Sequence, residues 1–371
     1  MRGRPLTIRR VIASRLVAWQ RRHGRNDLPW QNTRDAYRVW LSEIMLQQTR
    51  VSSVVPYFLR FVERFPTVKA LAAADEDEVL ALWSGLGYYS RARNLHRCAR
   101  EVVERRGGVF PSEPAELERL PGIGRSTAAA IAVFAFGRRA AILNGNVRRV
   151  LARWAGIGGH AGEPAVLAAL WSAAERELPH DSLESYTQGL MDLGASLCSR
   201  TRPACDRCPI AEDCVARREG LLDSIPGRRP PRALPLRERT WLVIRREREV
   251  LVEKRAPTGV WGGMWSLPEA EAGDAGNAAE LALRRFALRT RAGGELAAVD
   301  HVFTHFRLRA RPVVLECEDA GACRDGASQA GRWLALERAD DAPLPAPVKA
   351  LLRALREPDA GSGTGGSATV A

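Results

Sequence analysis

The sequence predicts a multi-domain protein in which an all-α domain precedes a smaller α/β domain. At 371 residues the chain is long enough to bury two hydrophobic cores. From residue 35 to about 216, apolar residues recur at helical spacing between Pro and Gly breaks. After a basic, proline-rich stretch at 226–232 the apolar spacing becomes that of strands. The predicted domains are therefore 1–225 and 239–356, with a linker at 226–238.

The first domain opens with an amphipathic helix from Ile8 to Trp19, and its most informative stretch is 39–50. Glu43 lies there within an apolar helix face, which consists of Trp40, Leu41, Ile44 and Met45. Loss of water raises the pKa of such a carboxyl group and favours proton donation near neutral pH. Gln47, Gln48 and Thr49 follow as neutral hydrogen-bonding groups suited to a nucleobase. The alternative is an ordinary amphipathic helix with Glu43 on its solvent face.

A glycine turn at 120–128 leads into an alanine-rich helix. Gly122 and Gly124 permit positive φ and let backbone N–H groups approach a phosphate closely. Ser126 and Thr127 are predicted to cap the following helix, and Pro114 to Leu120 is predicted as the preceding helix. The pattern indicates a helix–hairpin–helix that grips DNA backbone, or, alternatively, a plain packing bend between two helices.

Four cysteines within a short basic stretch predict a metal centre; they are Cys198, Cys205, Cys208 and Cys214. Zinc satisfies a four-cysteine site by ligand count, but zinc sites usually use two closely spaced pairs. Only Cys205 and Cys208 are closely spaced here, so the uneven loops favour a [4Fe–4S] cluster over zinc. Arginines throughout the same loop indicate a basic surface that faces DNA.

In the second domain, 241–244 and 250–252 flank a short charged turn and predict a β-hairpin. We expect one helix from Ala278 to Thr290 and a strand from Phe303 to Leu315. The tail at 357–371 is rich in Gly, Ser and Thr, and we expect it to be disordered.

Charge points to a polyanionic partner, because 56 Lys+Arg against 43 Asp+Glu give a net charge of +13. The N-terminus lacks the apolar core of a signal peptide, and no apolar run is long enough to span a membrane. We therefore expect a cytoplasmic, nucleoid-associated monomer with no membrane partner, in which cysteines bind metal rather than form disulfides.

Several motifs together resemble one family, the MutY-type adenine DNA glycosylases of the helix–hairpin–helix superfamily. They are Leu28-Pro29-Trp30, residues 40–49, residues 83–95, the glycine turn, residues 188–195, the four cysteines, and residues 261–268. The resemblance implies an all-α helix–hairpin–helix glycosylase domain with a [4Fe–4S] loop at 198–214, followed by a smaller α/β Nudix-like domain.

The implied function is base excision repair of duplex DNA, by removal of adenine mispaired with 8-oxoguanine or guanine. The adenine must first be flipped out of the duplex. By resemblance, Glu43 protonates it at N7 and then deprotonates the attacking water. The residues implied to line the adenine pocket are Trp30, Leu46 and Gln188, and those implied to fill the gap are Gln48, Thr49, Leu86 and Tyr88.

Two positions bear on catalysis. Ser126 stands where endonuclease III-like relatives carry a lysine nucleophile, so base removal without strong strand cleavage is expected. This position and the second domain disfavour a bifunctional, thymine-glycol-type glycosylase. Asn144 stands where the family carries an aspartate that stabilises the positively charged sugar. A slow enzyme or a lesion-binding protein is therefore the alternative function, whether Asn144 is natural, engineered or open to deamidation.

The resemblance extends to the second domain, whose family counterpart recognises 8-oxoguanine on the opposite strand. The Glu-rich box that a magnesium-dependent Nudix hydrolase needs is missing from the sequence after Pro268, so binding is favoured over hydrolysis. By resemblance, Phe303 inserts beside the damaged base, with Thr304 and His305 as hydrogen-bonding groups. The alternative is that Phe303 and Phe306 are strand core and His305 an exposed neighbour.

Overall fold

The chain folds into two units, each with its own hydrophobic core, in a computed structural model that describes residues 6–228, 233–318 and 331–356. The first unit consists of 6–73 with 94–228, and the second combines 74–93 with the described residues from 233 onward. The predicted tail at 357–371 and part of the predicted linker lie outside the described residues.

The chain up to residue 228 is helical, as predicted. Its helices are α1 (Leu6–His23), α2 (Ala36–Leu46), α3 (Val51–Arg64), α4 (Val68–Ala73), α5 (Glu76–Trp83), α6 (Ser90–Arg106), α7 (Pro114–Leu117), α8 (Arg125–Phe136), α9 (Gly145–Ala155), α10 (Pro164–Arg176), α11 (Leu183–Ser196) and α12 (Val215–Arg218). The helix α2 begins where Asp35 accepts a hydrogen bond from the backbone N–H of Tyr37 at 2.9 Å. Its predicted apolar face is buried in the core.

Helix α11 packs against α1 and α9 in the first unit. Two glycines allow this close packing. A Cβ on Gly189 would lie 3.1 Å from the Leu16 side chain of α1, and one on Gly194 would lie 2.6 Å from Cβ of Asn146 of α9. Larger residues at these positions would push the helices apart, so the glycines fix where α11 presents its polar side chains.

The second unit contains an eight-stranded mixed sheet within the described residues. Its strands are β1 (Leu236–Arg246), β2 (Glu249–Lys254), β3 (Trp265–Ser266), β4 (Glu269–Glu271), β5 (Thr290–Glu295), β6 (Val299–Val302), β7 (Arg307–Cys317) and β8 (Gly331–Ala335), with helices α13 (Ala278–Phe286) and α14 (Ala346–Arg356). The predicted hairpin is confirmed, since β1 pairs with β2 antiparallel. The long strands β1 and β7 pair in parallel, and α13 packs on their apolar side chains.

Three predicted boundaries are wrong. The helix predicted from Ala278 to Thr290 ends at Phe286, because Ala287 adopts a left-handed conformation with φ of 56°. The strand predicted from Phe303 begins at Arg307, because residues 303–306 form a turn closed by the Phe303 N–H donating to the Phe306 carbonyl at 2.9 Å. The helix predicted to reach Leu120 ends at Leu117, and tighter turns continue to Pro121.

Candidate active site

A cavity of about 300 Å³ opens in the first unit, lined by residues of α2, of α11 and of the segment before α2. Four residues predicted to act on the base all line it, namely Trp30, Glu43, Leu46 and Gln188. Trp30 is 8% exposed and packs edge-on against Phe58, with ring centroids 5.2 Å apart. The cavity therefore combines apolar walls with an acid and an amide, the composition typical of a site for a flat, polar ring.

Glu43 is the acid of this cavity. Burial raises its pKa from 4.5 to about 7, because loss of water disfavours the charged carboxylate. At neutral pH a large fraction of Glu43 therefore holds a proton that it can donate, in line with the expectation from its apolar sequence frame. A general acid works best when its pKa lies near the working pH.

A buried carboxylate holds the side-chain amide of Gln188 in one orientation. Asp192 is 2% exposed and lies one helical turn after Gln188. Its Oδ1 accepts from Nε2 of Gln188 at 2.9 Å and from Nε of Arg25 at 2.6 Å. Its Oδ2 accepts from the backbone N–H of Arg25 at 2.9 Å. Since a carboxylate paired with a guanidinium only accepts, the nitrogen of Gln188 is committed to Asp192 and its oxygen is left for the cavity.

Comparisons with known proteins place this geometry in a family. Residues 41–176 match the model of the HhH-GPD superfamily of base excision DNA repair proteins, and residues 240–354 match the NUDIX domain. The adenine DNA glycosylase of Buchnera aphidicola subsp. Schizaphis graminum is 32% identical over 343 residues, which cover 92% of this chain and 98% of the relative. This chain belongs to the MutY-type adenine DNA glycosylases.

Further relatives agree with this assignment. The adenine DNA glycosylase of Buchnera aphidicola subsp. Acyrthosiphon pisum is 35% identical, over 82% of this chain and 87% of the relative. Among solved structures, a thermostable thymine-DNA glycosylase superimposes with a TM-score of 0.51 at 28% identity, covering 57% of this chain and 98% of that one. The chain is thus a DNA glycosylase with a helical HhH-GPD domain and a smaller Nudix-like domain.

The hairpin of this glycosylase is formed by the glycine turn before α8. Gly122 has φ of 76°, and a Cβ there would lie 2.7 Å from Cβ of Asn94. Gly124 has extended backbone, so it does not need the positive φ that the sequence suggested. A Cβ on Gly124 would meet no atom within 4 Å, which leaves its backbone accessible to a phosphate.

Ser126 and Asn144 do not occupy the cavity. The prediction that Ser126 caps α8 is wrong, because Gly124 is the N-cap residue and no side chain caps this helix. The hydroxyl of Ser126 instead accepts from the backbone N–H of Leu143 at 3.0 Å. Asn144 caps α9, where its Oδ1 accepts from the N–H groups of Asn146 and Val147, each at 3.1 Å. Ser126 therefore fixes the loop that carries Asn144.

Two of the four residues predicted to fill the gap after base flipping, Gln48 and Tyr88, have left-handed backbone conformations. Gln48 follows the end of α2 with φ of 58°, and Thr49 is partly buried beside it. Leu86 is 7% exposed. Tyr88 is 44% exposed with φ of 50°, and the guanidinium of Arg91 lies 5.5 Å from its ring centroid. Left-handed conformations of non-glycine residues often mark functional positions, because the strain must be offset by surrounding structure.

The four cysteines are partly buried, and two of them, Cys198 and Cys214, contact the buried Arg153. Arg153 is 3% exposed and donates to the carbonyls of Ser199, Arg200, Leu222 and Ile225 at 2.6 to 3.1 Å, and to Sγ of Cys198 at 3.4 Å. Burial raises the pKa of the Cys208 thiol to about 11, and charge on the other three cysteines adds to this rise. Within the described ranges, no three Cys, His, Asp or Glu side chains are placed to hold one metal ion.

The turn at 303–306 belongs to an aromatic cluster in the second unit. Phe303 stacks on Phe306 with centroids 4.5 Å apart and contacts His301 edge-on at 4.6 Å. Phe306 is 2% exposed, whereas Thr304 and His305 are exposed at the turn. Phe306 is thus core and His305 exposed, as the second alternative expects, while insertion of Phe303 beside a damaged base stays a prediction.

Sequence reasoning missed Asp192 and Arg25. The available signal was the spacing of Gln188 and Asp192, four residues apart on a predicted helix, which places both on one face. Arg25 lies 167 residues away in the chain, so its contact with Asp192 had no local sequence signal. Among the described residues, no helix is both long and apolar enough to cross a membrane.

Proposed function

We propose that this chain removes adenine mispaired with 8-oxoguanine or guanine from duplex DNA, without cutting the strand. The observation that carries this proposal is the partly buried acid Glu43, whose pKa of about 7 equips it as a proton donor in a base-sized cavity. An adenine flipped into the cavity accepts this proton at N7, which weakens the glycosidic bond and lets the base leave. The resulting Glu43 carboxylate then takes a proton from the water that attacks the sugar.

Gln188 supports the choice of adenine. Because its nitrogen donates to Asp192, its oxygen is available to accept from the exocyclic amino group of adenine. Guanine carries a carbonyl oxygen at the same ring position, which would face the oxygen of Gln188 without a proton between them. An unpaired acceptor in a desolvated site costs about 1–3 kcal/mol, enough to disfavour the wrong purine.

Asn144 supports a reduced rate. An aspartate of nearly the same shape would accept the same two N–H bonds at the start of α9 and would add a negative charge. That charge stabilises the positive sugar formed when the base leaves, and an amide cannot replace it. Asn144 is also the observation that favours the second candidate function, a lesion-binding protein that grips mispaired DNA but turns over slowly.

Single-turnover release of adenine tests both candidates. We expect Asn144→Asp to release adenine faster than the parent chain by a factor on the order of 10² to 10⁴, with similar DNA affinity. Asn144→Ser is the matched control, since serine caps a helix without bringing charge, and it should stay as slow as the parent. Equal rates for the parent and Asn144→Asp would contradict the proposed role of this position.

The proposed cofactor is a [4Fe–4S] cluster held by Cys198, Cys205, Cys208 and Cys214. The uneven spacing of the four cysteines, of which only Cys205 and Cys208 are close in sequence, fits a multi-iron cluster better than a single zinc ion. When bound, the cluster would supply a rigid thiolate-ligated core for the basic loop that faces DNA. The positive charges of Arg149 and Arg153 beside the loop suit the thiolate form of its ligands.

The second unit is proposed to recognise 8-oxoguanine rather than to hydrolyse nucleotides. Two carboxylates of its sheet region are paired with arginines, Glu269 with Arg255 at 2.5 Å and Glu253 with Arg285 at 2.6 Å. Thr304 and His305 are exposed at the turn, where Oγ1 of Thr304 lies 3.4 Å from Nδ1 of His305, and we propose that these polar groups meet a base edge.

The double variant Thr304→Ala, His305→Ala tests base recognition at this turn. It should reduce the preference for 8-oxoguanine over guanine, measured as the ratio of the two dissociation constants on otherwise identical duplexes. Retained folding can be checked by circular dichroism, since both side chains are exposed. An unchanged ratio would count against the turn as the reader of the oxidised base.

A further inference from the structure

Strand β7 carries three arginines at alternating positions, Arg307, Arg309 and Arg311, with buried Leu308 and Ala310 between them. Because side chains alternate across a strand, the three arginines share the outer face of the sheet. This face continues onto β6 and β1, whose residues pair with β7 in register.

Two of the three arginines are already neutralised. Arg309 makes a two-pronged contact with Asp300, with nitrogen–oxygen distances of 2.9 and 3.1 Å. Arg311 pairs with Glu238 at 3.5 Å. Hydrogen bonds from Arg309 lower the pKa of Asp300, and the charge of Arg307 adds to this effect. Asp300 therefore has its carboxylate engaged by Arg309 and repels an incoming anion less.

Arg307 differs from the other two. It is exposed, and within the described part of the chain no carboxylate lies within 4.0 Å of its guanidinium. Its direct neighbours across the sheet are Leu236 on β1 and Val302 on β6, which are 50% and 63% exposed. A cation that no carboxylate of the described residues contacts directly, between two exposed aliphatic side chains, suits a polymer whose phosphates are charged and whose sugars are partly apolar.

The position of Arg307 relates it to the turn at 303–306. Arg307 and Val302 face each other where the turn leaves the sheet, and Arg307 follows the exposed His305 by two residues in the chain. On the opposite face of β1, Arg237 stacks over Phe306 at 4.4 Å and so supports the turn from behind. Arg307 begins β7 directly after the turn.

We propose that Arg307, Leu236 and Val302 form a contact surface for the sugar–phosphate backbone of duplex DNA, on the strand whose base is read by the turn. This inference rests on the proposed function, because the turn must face DNA. Arg307 binds a phosphate oxygen pair through its planar guanidinium, and the two aliphatic side chains cover the adjoining deoxyribose. Contacts to phosphate and sugar do not depend on the base, so this surface fixes the position of the duplex while the turn discriminates the base.

The dependence of DNA affinity on salt tests this proposal directly. Fluorescence anisotropy of the full chain with labelled 8-oxoguanine:adenine and guanine:adenine duplexes gives dissociation constants between 50 and 200 mM salt. We expect Arg307→Ala to weaken both duplexes by the same factor, roughly five- to tenfold at low salt, and to lower the slope of log affinity against log salt by about 0.9. Arg307→Lys should restore the slope, since it keeps the charge.

Arg311→Ala is the matched control, because Arg311 lies on the same strand and face but is paired with Glu238. It should leave affinity within about twofold and the slope unchanged. An unchanged slope for Arg307→Ala, or an equal loss for Arg311→Ala, overturns the proposal.

The two proposals about this unit can fail separately. If Arg307→Ala leaves the slope unchanged while Thr304→Ala, His305→Ala reduces base preference, the backbone contact is wrong and base recognition stands. If the slope falls while the turn variant keeps its base preference, the backbone contact stands and base recognition is wrong.

Discussion

Replacing Glu43 by glutamine tests whether burial tunes the acid of the cavity. The pKa of Glu43 is about 7 in the folded protein and 4.5 in the unfolded chain. Between these values the folded state binds more protons than the unfolded state, so stability falls as pH rises from 4.5 through 7. At about 1.4 kcal/mol per pH unit, the difference between the two pKa values limits this loss in the free energy of unfolding to about 3 kcal/mol.

Glutamine has no charge at any pH, so the variant avoids this loss. We expect the free energy of unfolding of Glu43→Gln to exceed that of the parent by up to about 3 kcal/mol at pH 8.5, and the gain to vanish near pH 4.5. The matched control is Glu184→Gln in the same cavity. The Glu184 side chain is 45% exposed and pairs with Arg34 at 2.6 Å, so its loss should cost less than about 1 kcal/mol.

Thermal unfolding of the parent and both variants at pH 5 and pH 8.5 measures this gain. In an Asn144→Asp background, single-turnover adenine release should also fall about tenfold per pH unit above pH 7, because the acid loses its proton, and Glu43→Gln should be inactive. The reasoning is refuted if Glu43→Gln follows the stability of the parent at both pH values, or if Glu184→Gln shows the same gain.

Three further predictions concern the first unit. Asp192→Asn should let the side-chain amide of Gln188 rotate. In an Asn144→Asp background, the single-turnover rate for adenine divided by that for unsubstituted purine should therefore fall toward one. A preserved ratio would contradict the orienting role of Asp192. Ser126→Lys should give a strand-cleaving enzyme whose imine with DNA is trapped by borohydride, and failure to trap it would count against the assignment of this position. Cys208→Ser should lose the brown colour and the roughly four irons per chain expected of the parent, whereas a colourless, zinc-loaded parent would contradict the cluster.

The sequence by itself determined the two classes of fold and predicted four residues that line one cavity of the first unit. The spacing of nearby residues was sufficient to predict α2, in which Glu43 lies within four residues of the apolar side chains around it. It was also sufficient to predict the β1–β2 hairpin. Boundaries were less secure where a left-handed residue or a tight turn ended an element early, as at Ala287 and at residues 303–306. Such stops depend on backbone conformations that neighbouring elements stabilise, and apolar spacing does not encode them.

Only the tertiary structure decided how distant residues act together. Arg25 and Asp192 meet because Gly189 and Gly194 let α11 pack closely on α1 and α9, and this contact fixes which end of Gln188 faces the cavity. The sequence likewise shows three equivalent arginines on β7, but cross-strand register gives two of them carboxylate partners and leaves Arg307 exposed between aliphatic side chains. The sequence gives the type of each residue. Packing between segments that are far apart in the chain decides which partner a side chain meets, and that partner sets the charge, orientation and exposure of the side chain.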